Sequence, residues 1–298
     1  MDRTDTMERA TQSAVTQDRA EERRWLASVD PAEMVEMLGP AGLLAARGSE
    51  RKLRLFGCAL VRSCWGRIAD GRIGLACQAA ERFADGRAGA ADLAAAREAA
   101  AAAMRLAGGR GTRAAAQLAH AAAADGLGDP RMFVVSAAAT AQAAGVDRPH
   151  QAAILRDLFG NPFRLGRCCA TAGWLSGPAF APAARPASPA GDGPVPLPPH
   201  HTVSWGPDVS ATARSIYDRR AFERLHVLDA VLVRAGCTCE DLLRHVRGYE
   251  RCRVCAGAAG VAGASPARTC PLCGGLGWAG APDMHVRGCW ALDLVLGY

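Results

Sequence analysis

Hydrophobic and polar positions in the first half of the chain repeat with the period of an α-helix. Within residues 49–68, one apolar stripe has members three or four positions apart: Leu53, Phe56, Leu60, Cys64 and Ile68. The arginines of this segment avoid the stripe, as expected for an amphipathic helix with one buried face. Ser49 precedes the stripe and is predicted to be the N-cap.

Start and stop signals predict further helices on both sides of this segment. Asp30 is predicted to cap a helix whose first residue is Pro31 and which ends at Gly39-Pro40. The remaining helices of this half are predicted at Ile73 to about Ala84, in two alanine-rich stretches of 88–124 separated at 108–111, at 133–145 and at Gln151 to Phe159.

The second half begins with a change of composition. Nine of the 17 prolines lie between residues 177 and 207, which predicts an extended linker. Helical patterns resume at Asp208 and close the chain. The predicted fold class is therefore all-α, with these parts: a disordered or frayed lead-in (1–22), an Ala-rich helical domain (23–176), the Pro-rich linker (177–207) and C-terminal helices (208–298) that carry an insertion at 249–284.

The composition limits what the charge implies. The net charge is +6, but Lys52 is the only lysine and the arginines are spread along the chain, so the charge alone does not indicate a nucleic-acid face. The polar first 25 residues do not resemble a secretory signal, and no apolar run is long enough to span a membrane. These features predict a cytoplasmic protein with reduced thiols and no membrane partner.

Two cysteine pairs in the insertion have the spacing of a zinc site. Cys252, Cys255, Cys270 and Cys273 form a C-x2-C-x14-C-x2-C array. Each pair is followed two residues later by a glycine, as in the turn of a zinc knuckle. The segment has few apolar residues, so metal binding of roughly 10–16 kcal/mol would have to stabilise it. We therefore predict a structural Zn²⁺ ion held by these four thiolates.

The predicted ribbon is structural rather than catalytic. Four thiolates fill the coordination sphere and leave no position for water. The charge of the module is close to neutral, because the excess of arginine over glutamate in residues 249–280 offsets the negative charge of a tetrathiolate zinc. The module therefore lacks the electrostatic attraction that dominates non-specific nucleic-acid binding.

The other cysteines and histidines have simpler interpretations. Cys58, Cys64 and Cys77 lie on apolar helix faces and are predicted to pack in the core. A second metal site remained open for a set that chain closure could bring together: Cys237, Cys239, His245, His285 and Cys289. Packing or helix capping was the preferred role of these residues. No motif of a hydrolase, a metalloprotease or a nucleotide-binding enzyme occurs in the chain, so no catalytic residue is predicted.

Two resemblances add to this interpretation. "CPLCGGLGW" resembles one CxxCxGxG unit of the cysteine-rich region of DnaJ-type chaperones, which implies a structural zinc ribbon and nothing about chaperone activity. "RKLRLFGCALVRSCW", "LRDLFGNPF", "ARSIYDRRAFERL" and "HVRGCWALDLVLG" resemble the motifs of a family of uncharacterised bacterial proteins. That resemblance covers most of residues 22–298 and implies no activity. Members join the last two helices by a short turn, at the position of the insertion.

The sequence therefore predicts a non-enzymatic interaction or scaffold protein with a structural zinc, whose partner is a protein. The alternatives are a nucleic-acid-associated regulator that uses the ribbon and its flanking arginines, and an enzyme whose site is not visible in the sequence.

One substitution tests the ribbon. Because Cys270 is a predicted ligand, Cys270→Ser is expected to abolish zinc binding by the ribbon and loosen residues 249–284. Most of the helical circular dichroism should persist, and complete loss of that signal would contradict an inserted module.

Overall fold

A computed structural model describes residues 19–40, 42–45, 48–164, 205–251, 278–280 and 285–298. These residues are almost entirely helical, in agreement with the predicted class. The helices of the first half are α1 (19–27), α2 (Pro31–Leu38), α3 (Ser49–Ser63), α4 (Gly71–Ala84), α5 (Ala90–Leu106), α6 (Arg110–Ala122), α7 (Pro130–Ala143) and α8 (Arg148–Phe159).

Helix α3 is the centre of the first half and contacts α4, α6, α7 and α8. It is buried on more than the one face that the apolar stripe predicts. Arg54 is 1% exposed and donates hydrogen bonds of 2.6 Å to the carbonyl oxygens of Ala122 and Ala124, at the end of α6. A guanidinium there satisfies carbonyls that a helix end leaves unpaired.

The structure revises several helix starts. The N-cap of α3 is Gly48, with φ of 89°, and Ser49 is the first helical residue, so the predicted cap was wrong by one position. Helices α7 and α8 begin three residues earlier than predicted, because the side chains of Asp129 and Asp147 cap them. The cap that was predicted at Asp30 is confirmed by its 3.1 Å bond from the amide of Ala32.

The described end of the predicted lead-in, residues 19–22, is part of helix α1. Glu22 on α1 is buried, accepts a 2.8 Å hydrogen bond from the side chain of Asn161 and pairs with Arg164. The indole of Trp25 is fully buried and donates to the carbonyl of Gly160. These contacts attach α1 to the end of α8.

The described residues of the C-terminal unit form four α-helices and one pair of short strands. Its elements are α9 (Pro207–Arg219), α10 (Leu225–Arg234), α11 (Glu240–Val246), β1 (Tyr249–Arg251), β2 (Trp278–Gly280) and α12 (Trp290–Leu296). The strands are antiparallel and pair Tyr249 with Gly280 and Arg251 with Trp278. The pairing places the two ends of the insertion side by side, so the chain returns close to the point where it left α11.

Two apolar clusters form the core of the described residues, one from the first half and one from residues 209–295. A buried ionic network joins them. Arg51 on α3 bonds both oxygens of Asp293 on α12, at 2.6 and 3.1 Å, and also bonds Asp85 after α4. Arg287 and the hydroxyl of Tyr217 donate to Asp85 as well. Charged hydrogen bonds therefore hold the C-terminal helices to the helices of the first half, which are called the body below.

The sole lysine also contributes to this contact between the two clusters, which is called the junction below. The ammonium of Lys52 donates to the carbonyl oxygens of Leu158 and Gly288, at 2.6 and 2.8 Å, and pairs with Asp293. One side chain thus connects α3, the end of α8 and the segment that leads into α12.

In the part of the chain that the structure describes, the helices are too short or too polar to cross a bilayer.

Candidate metal centre

Four side chains of types that can bind metal ions lie close together beside the junction of the body and the C-terminal helices. The donor atoms of Asp157, His245, His285 and Cys289 all lie within 4.8 Å of one another. Three of the four residues are buried, and the side chain of His285 is 11% exposed. Such a group of nitrogen, oxygen and sulfur donors could hold a metal ion.

Each donor comes from a different part of the fold. Asp157 lies near the end of α8, in the body, and His245 lies in the last turn of α11. His285 follows the insertion, and Cys289 is the N-cap residue of α12. The β1–β2 pairing returns the chain to α11, and the imidazoles of His245 and His285 meet edge to face with their centroids 4.9 Å apart.

The contacts within the group are short. Oδ1 of Asp157 lies 2.8 Å from Nδ1 of His285 and 3.3 Å from Nε2 of His245. Sγ of Cys289 lies 3.2 Å from Nε2 of His245 and 4.0 Å from Nδ1 of His285. The second carboxylate oxygen, Oδ2 of Asp157, accepts a 2.8 Å hydrogen bond from the amide of Val286, which fixes the orientation of the carboxylate.

Burial raises the pKa of both acidic donors, but their other contacts shift the two pKa values in opposite directions. Burial by itself raises the pKa of Asp157, but the hydrogen bonds from His245 and His285 outweigh it, so the pKa lies well below its ordinary value. Burial raises the pKa of the Cys289 thiol, and the charge of Asp157 raises it further. Without a cation, the centre therefore contains a carboxylate bonded to imidazoles and a protonated thiol.

The geometry does not match a Cys-His-Asp catalytic relay. In a relay, one imidazole nitrogen faces the nucleophile and the other faces the carboxylate. Here Nε2 of His245 faces both Cys289 and Asp157, and Nδ1 of His285 is likewise the atom nearest to both. All four donor atoms lie within 4.8 Å of one another, an arrangement that could hold a metal ion.

The sequence prediction anticipated this centre only in part. His245, His285 and Cys289 were candidates for a second metal site, and the structure brings them together, although packing or capping was preferred for them. Cys237 and Cys239 belonged to the same candidate set but are buried in the C-terminal apolar cluster, outside the four-donor group. The ribbon ligands Cys252, Cys255, Cys270 and Cys273 lie outside the described residues, so the ribbon stays a prediction.

Asp157 is the donor that sequence reasoning missed. A signal was present, because Asp157 follows Arg156 between the apolar pairs Ile154-Leu155 and Leu158-Phe159 on a buried helix. A carboxylate is seldom buried unless it is paired or binds a metal. The position alone did not reveal the partners, since they lie 88 or more residues away.

A second group of donors has less capacity for a metal. Cys58, Cys77 and Glu81 are close together between α3 and α4. Arg62 binds both carboxylate oxygens of Glu81, at 2.6 and 2.8 Å, and Arg220 pairs with it as well. The carboxylate is therefore already neutralised, and the two thiols pack in the core as the sequence predicts.

Comparisons of the chain with models of protein families, with curated proteins and with solved structures give no match. The family resemblance of the sequence motifs accordingly stays a prediction. The functional argument rests on the geometry of the four donors.

Gly288 provides a test of how closely this region is packed. Its φ is 89°, and an added Cβ would lie 2.7 Å from Leu55 and 3.0 Å from Leu158. Gly288→Ala is therefore expected to lower the free energy of unfolding by roughly 2–4 kcal/mol, from overpacking and backbone strain together. Urea unfolding measures this change.

Gly86→Ala is the matched control, because Gly86 also has a positive φ of 68° but has open space around it. We expect a loss of only about 1 kcal/mol there, from the backbone alone. Equal losses in the two variants would contradict close packing at Gly288.

Proposed function

We propose that the protein is a metal-stabilised helical scaffold in which a Zn²⁺ ion, bound by Asp157, His245, His285 and Cys289, fastens the C-terminal helices to the body. The proximity of the four donor atoms, which all lie within 4.8 Å of one another, carries this proposal. The ion would connect α8, α11 and the start of α12. Its role would be structural, in addition to the zinc predicted in the ribbon.

The donor distances fit a tetrahedral ion. With zinc–ligand bonds of 2.0–2.3 Å, the donors of a tetrahedral site are about 3.3–3.6 Å apart. Four of the six donor–donor distances in this centre range from 2.8 to 4.0 Å, and all six lie within 4.8 Å. Small side-chain rotations would equalise them around a cation.

Charge favours a divalent ion. A thiolate at Cys289 and the carboxylate of Asp157 supply two negative charges, and two neutral imidazoles supply none. A divalent cation would make the buried centre neutral, which removes the cost of isolated charges in the interior. The mixed donors (one sulfur, two nitrogens and one oxygen) are those that zinc binds in proteins.

The proposed role is non-enzymatic. Four protein ligands leave no open position on zinc for water or substrate, and a catalytic zinc needs one. The fully buried Cys289 is also inaccessible to a substrate. A rigid helical surface held by metal is suited to binding a partner protein, which is the class of partner that we propose.

The experiment combines metal analysis with zinc X-ray absorption on the Cys270→Ser variant. If the ribbon is lost, one zinc per chain should remain, and its nearest neighbours should be one sulfur and three nitrogen or oxygen atoms. A variant that contains no zinc, or one whose zinc has several sulfur ligands, would refute the proposed centre.

A role in nucleic-acid binding remains a second proposal, supported only by the positive net charge and the arginines near the ribbon. Several arginines of the body are occupied by carboxylates, such as Arg51 by Asp293 and Arg62 by Glu81. Retention on DNA or RNA at low salt, with release as salt rises, would support this role. Absence of retention at low salt would remove it.

A further inference from the structure

A cavity of about 290 Å³ lies next to the metal centre, between the body and the C-terminal unit. It is near the small end of the range for ligand pockets. His285 belongs to both sites, because it supplies a metal donor and lines the cavity. The other ten lining residues supply no donor atom to the metal centre, so what the cavity binds is a question beyond the proposed function.

One wall of the cavity is apolar. Leu55 and Ala59 come from α3, Phe222 follows α9, and Val286 precedes α12. These side chains offer contact to a hydrocarbon body and no hydrogen bond. An inorganic ion alone would leave this wall without a partner.

The other wall is rich in guanidinium groups. Arg62, Arg220 and Arg287 line the cavity, and Glu81 is the one carboxylate among the lining residues. The lining therefore has a formal charge of +2, of which the salt bridge from Arg287 to Asp85 behind it offsets one unit. A negatively charged group would complete the charge balance.

Arg220 has an unusual backbone. Among the described residues, it is the only one other than glycine with positive φ, at 54°. Residues held in this region carry backbone strain and cluster at binding and active sites. The conformation ends α9 and brings the guanidinium to Glu81 at the cavity wall, where the side chain remains 24% exposed. The group is thus reachable from the cavity.

Hydrogen-bonding groups complete the polar wall. The hydroxyl of Ser63 lies 2.8 Å from Nε2 of His150, and both residues line the cavity. Guanidinium forks match the paired oxygens of a carboxylate or a phosphate. We propose that the cavity binds a small organic anion, with its carboxylate or phosphate at Arg220 and a short apolar body against Leu55 and Phe222.

The probes are benzoate and phenyl phosphate, with inorganic phosphate as the anion without an apolar body and benzyl alcohol as the neutral counterpart. Titration calorimetry on the zinc-containing full chain should show one saturable site for at least one of the organic anions. Which of the two binds identifies the anionic group. Inorganic phosphate and benzyl alcohol should bind at least tenfold more weakly.

Arg220→Ala should raise the dissociation constant at least tenfold, since a charged hydrogen bond is lost. Arg219→Ala removes one positive charge from the adjacent, exposed position. It should change the dissociation constant less than twofold. Glu81→Gln frees the guanidiniums and should tighten binding, an effect that general destabilisation would not produce.

Four results would overturn the inference: no binding of either organic anion, equal binding of benzyl alcohol, equal binding of inorganic phosphate, or unchanged binding in Arg220→Ala. Zinc content, measured on the same samples, separates the two proposals. A protein that contains the buried zinc but binds no organic anion contradicts only the cavity, and one that binds the anion without that zinc contradicts only the metal centre.

Discussion

Cys289→Ser is expected to remove one equivalent of zinc and to weaken the response of the unfolding temperature to added zinc. The reason is that a serine hydroxyl is a much weaker zinc ligand than a thiolate. For the unsubstituted chain, an ion that binds only the folded state stabilises it by about 4 kcal/mol at a free concentration one thousand times the dissociation constant. That linked stabilisation should be absent in the variant. Metal analysis and thermal unfolding with added zinc or a chelator measure both effects.

Cys64→Ser is the matched control. Cys64 is also buried, but its thiol hydrogen-bonds the carbonyl oxygens of Leu60 and Val61, as a serine can. This variant should retain the full zinc content and its response to a chelator. If both variants keep their zinc, Cys289 is only a packing residue and the proposed centre is incorrect.

Asp85→Ala is expected to cost about 3–5 kcal/mol of unfolding free energy, the loss typical of breaking a buried charge network. The side chain of Asp85 is fully buried and accepts hydrogen bonds from Arg51, Arg287 and Tyr217. Its removal leaves buried guanidinium groups without a counter-charge at the junction of the two units. Urea unfolding, monitored by circular dichroism, gives the free energy.

Asp218→Ala provides the comparison, because Asp218 pairs with Arg87 at the surface, where both side chains are more than a third exposed. Exposed pairs contribute at most about 1 kcal/mol. If the two variants lose the same free energy, the network around Asp85 does not hold the units together.

The helical class and most of the element order follow from local patterns. Periodicity and capping residues act within a few positions, so the helix from Pro31, with its cap at Asp30, could be identified from the sequence. The errors at Ser49, Asp129 and Asp147 concern helix starts, where several residues compete to cap the helix and tertiary contacts select among them. Arg54 shows the same limit, because its burial depends on the carbonyls of another helix.

The candidate metal centre could be predicted only in part, because its possible donors are distant in sequence. His245, His285 and Cys289 were suspected, since the insertion separates them and its ends were expected to be close. Asp157 was not suspected, because no local pattern shows which carboxylate a remote segment will contact. The cavity was not predicted either, since its walls come from α3, α4, the end of α9 and the segment before α12.

By itself, the sequence determined the helices and the spacing of four cysteines typical of a zinc ribbon, because both depend on residues close together in the chain. Only the tertiary structure decided that the donor atoms of Asp157, His245, His285 and Cys289 lie within 4.8 Å of one another and that Arg62 and Arg220 both pair with Glu81. Those arrangements depend on how α8, α11 and α12 pack, and packing is set by contacts between segments that no short-range pattern records.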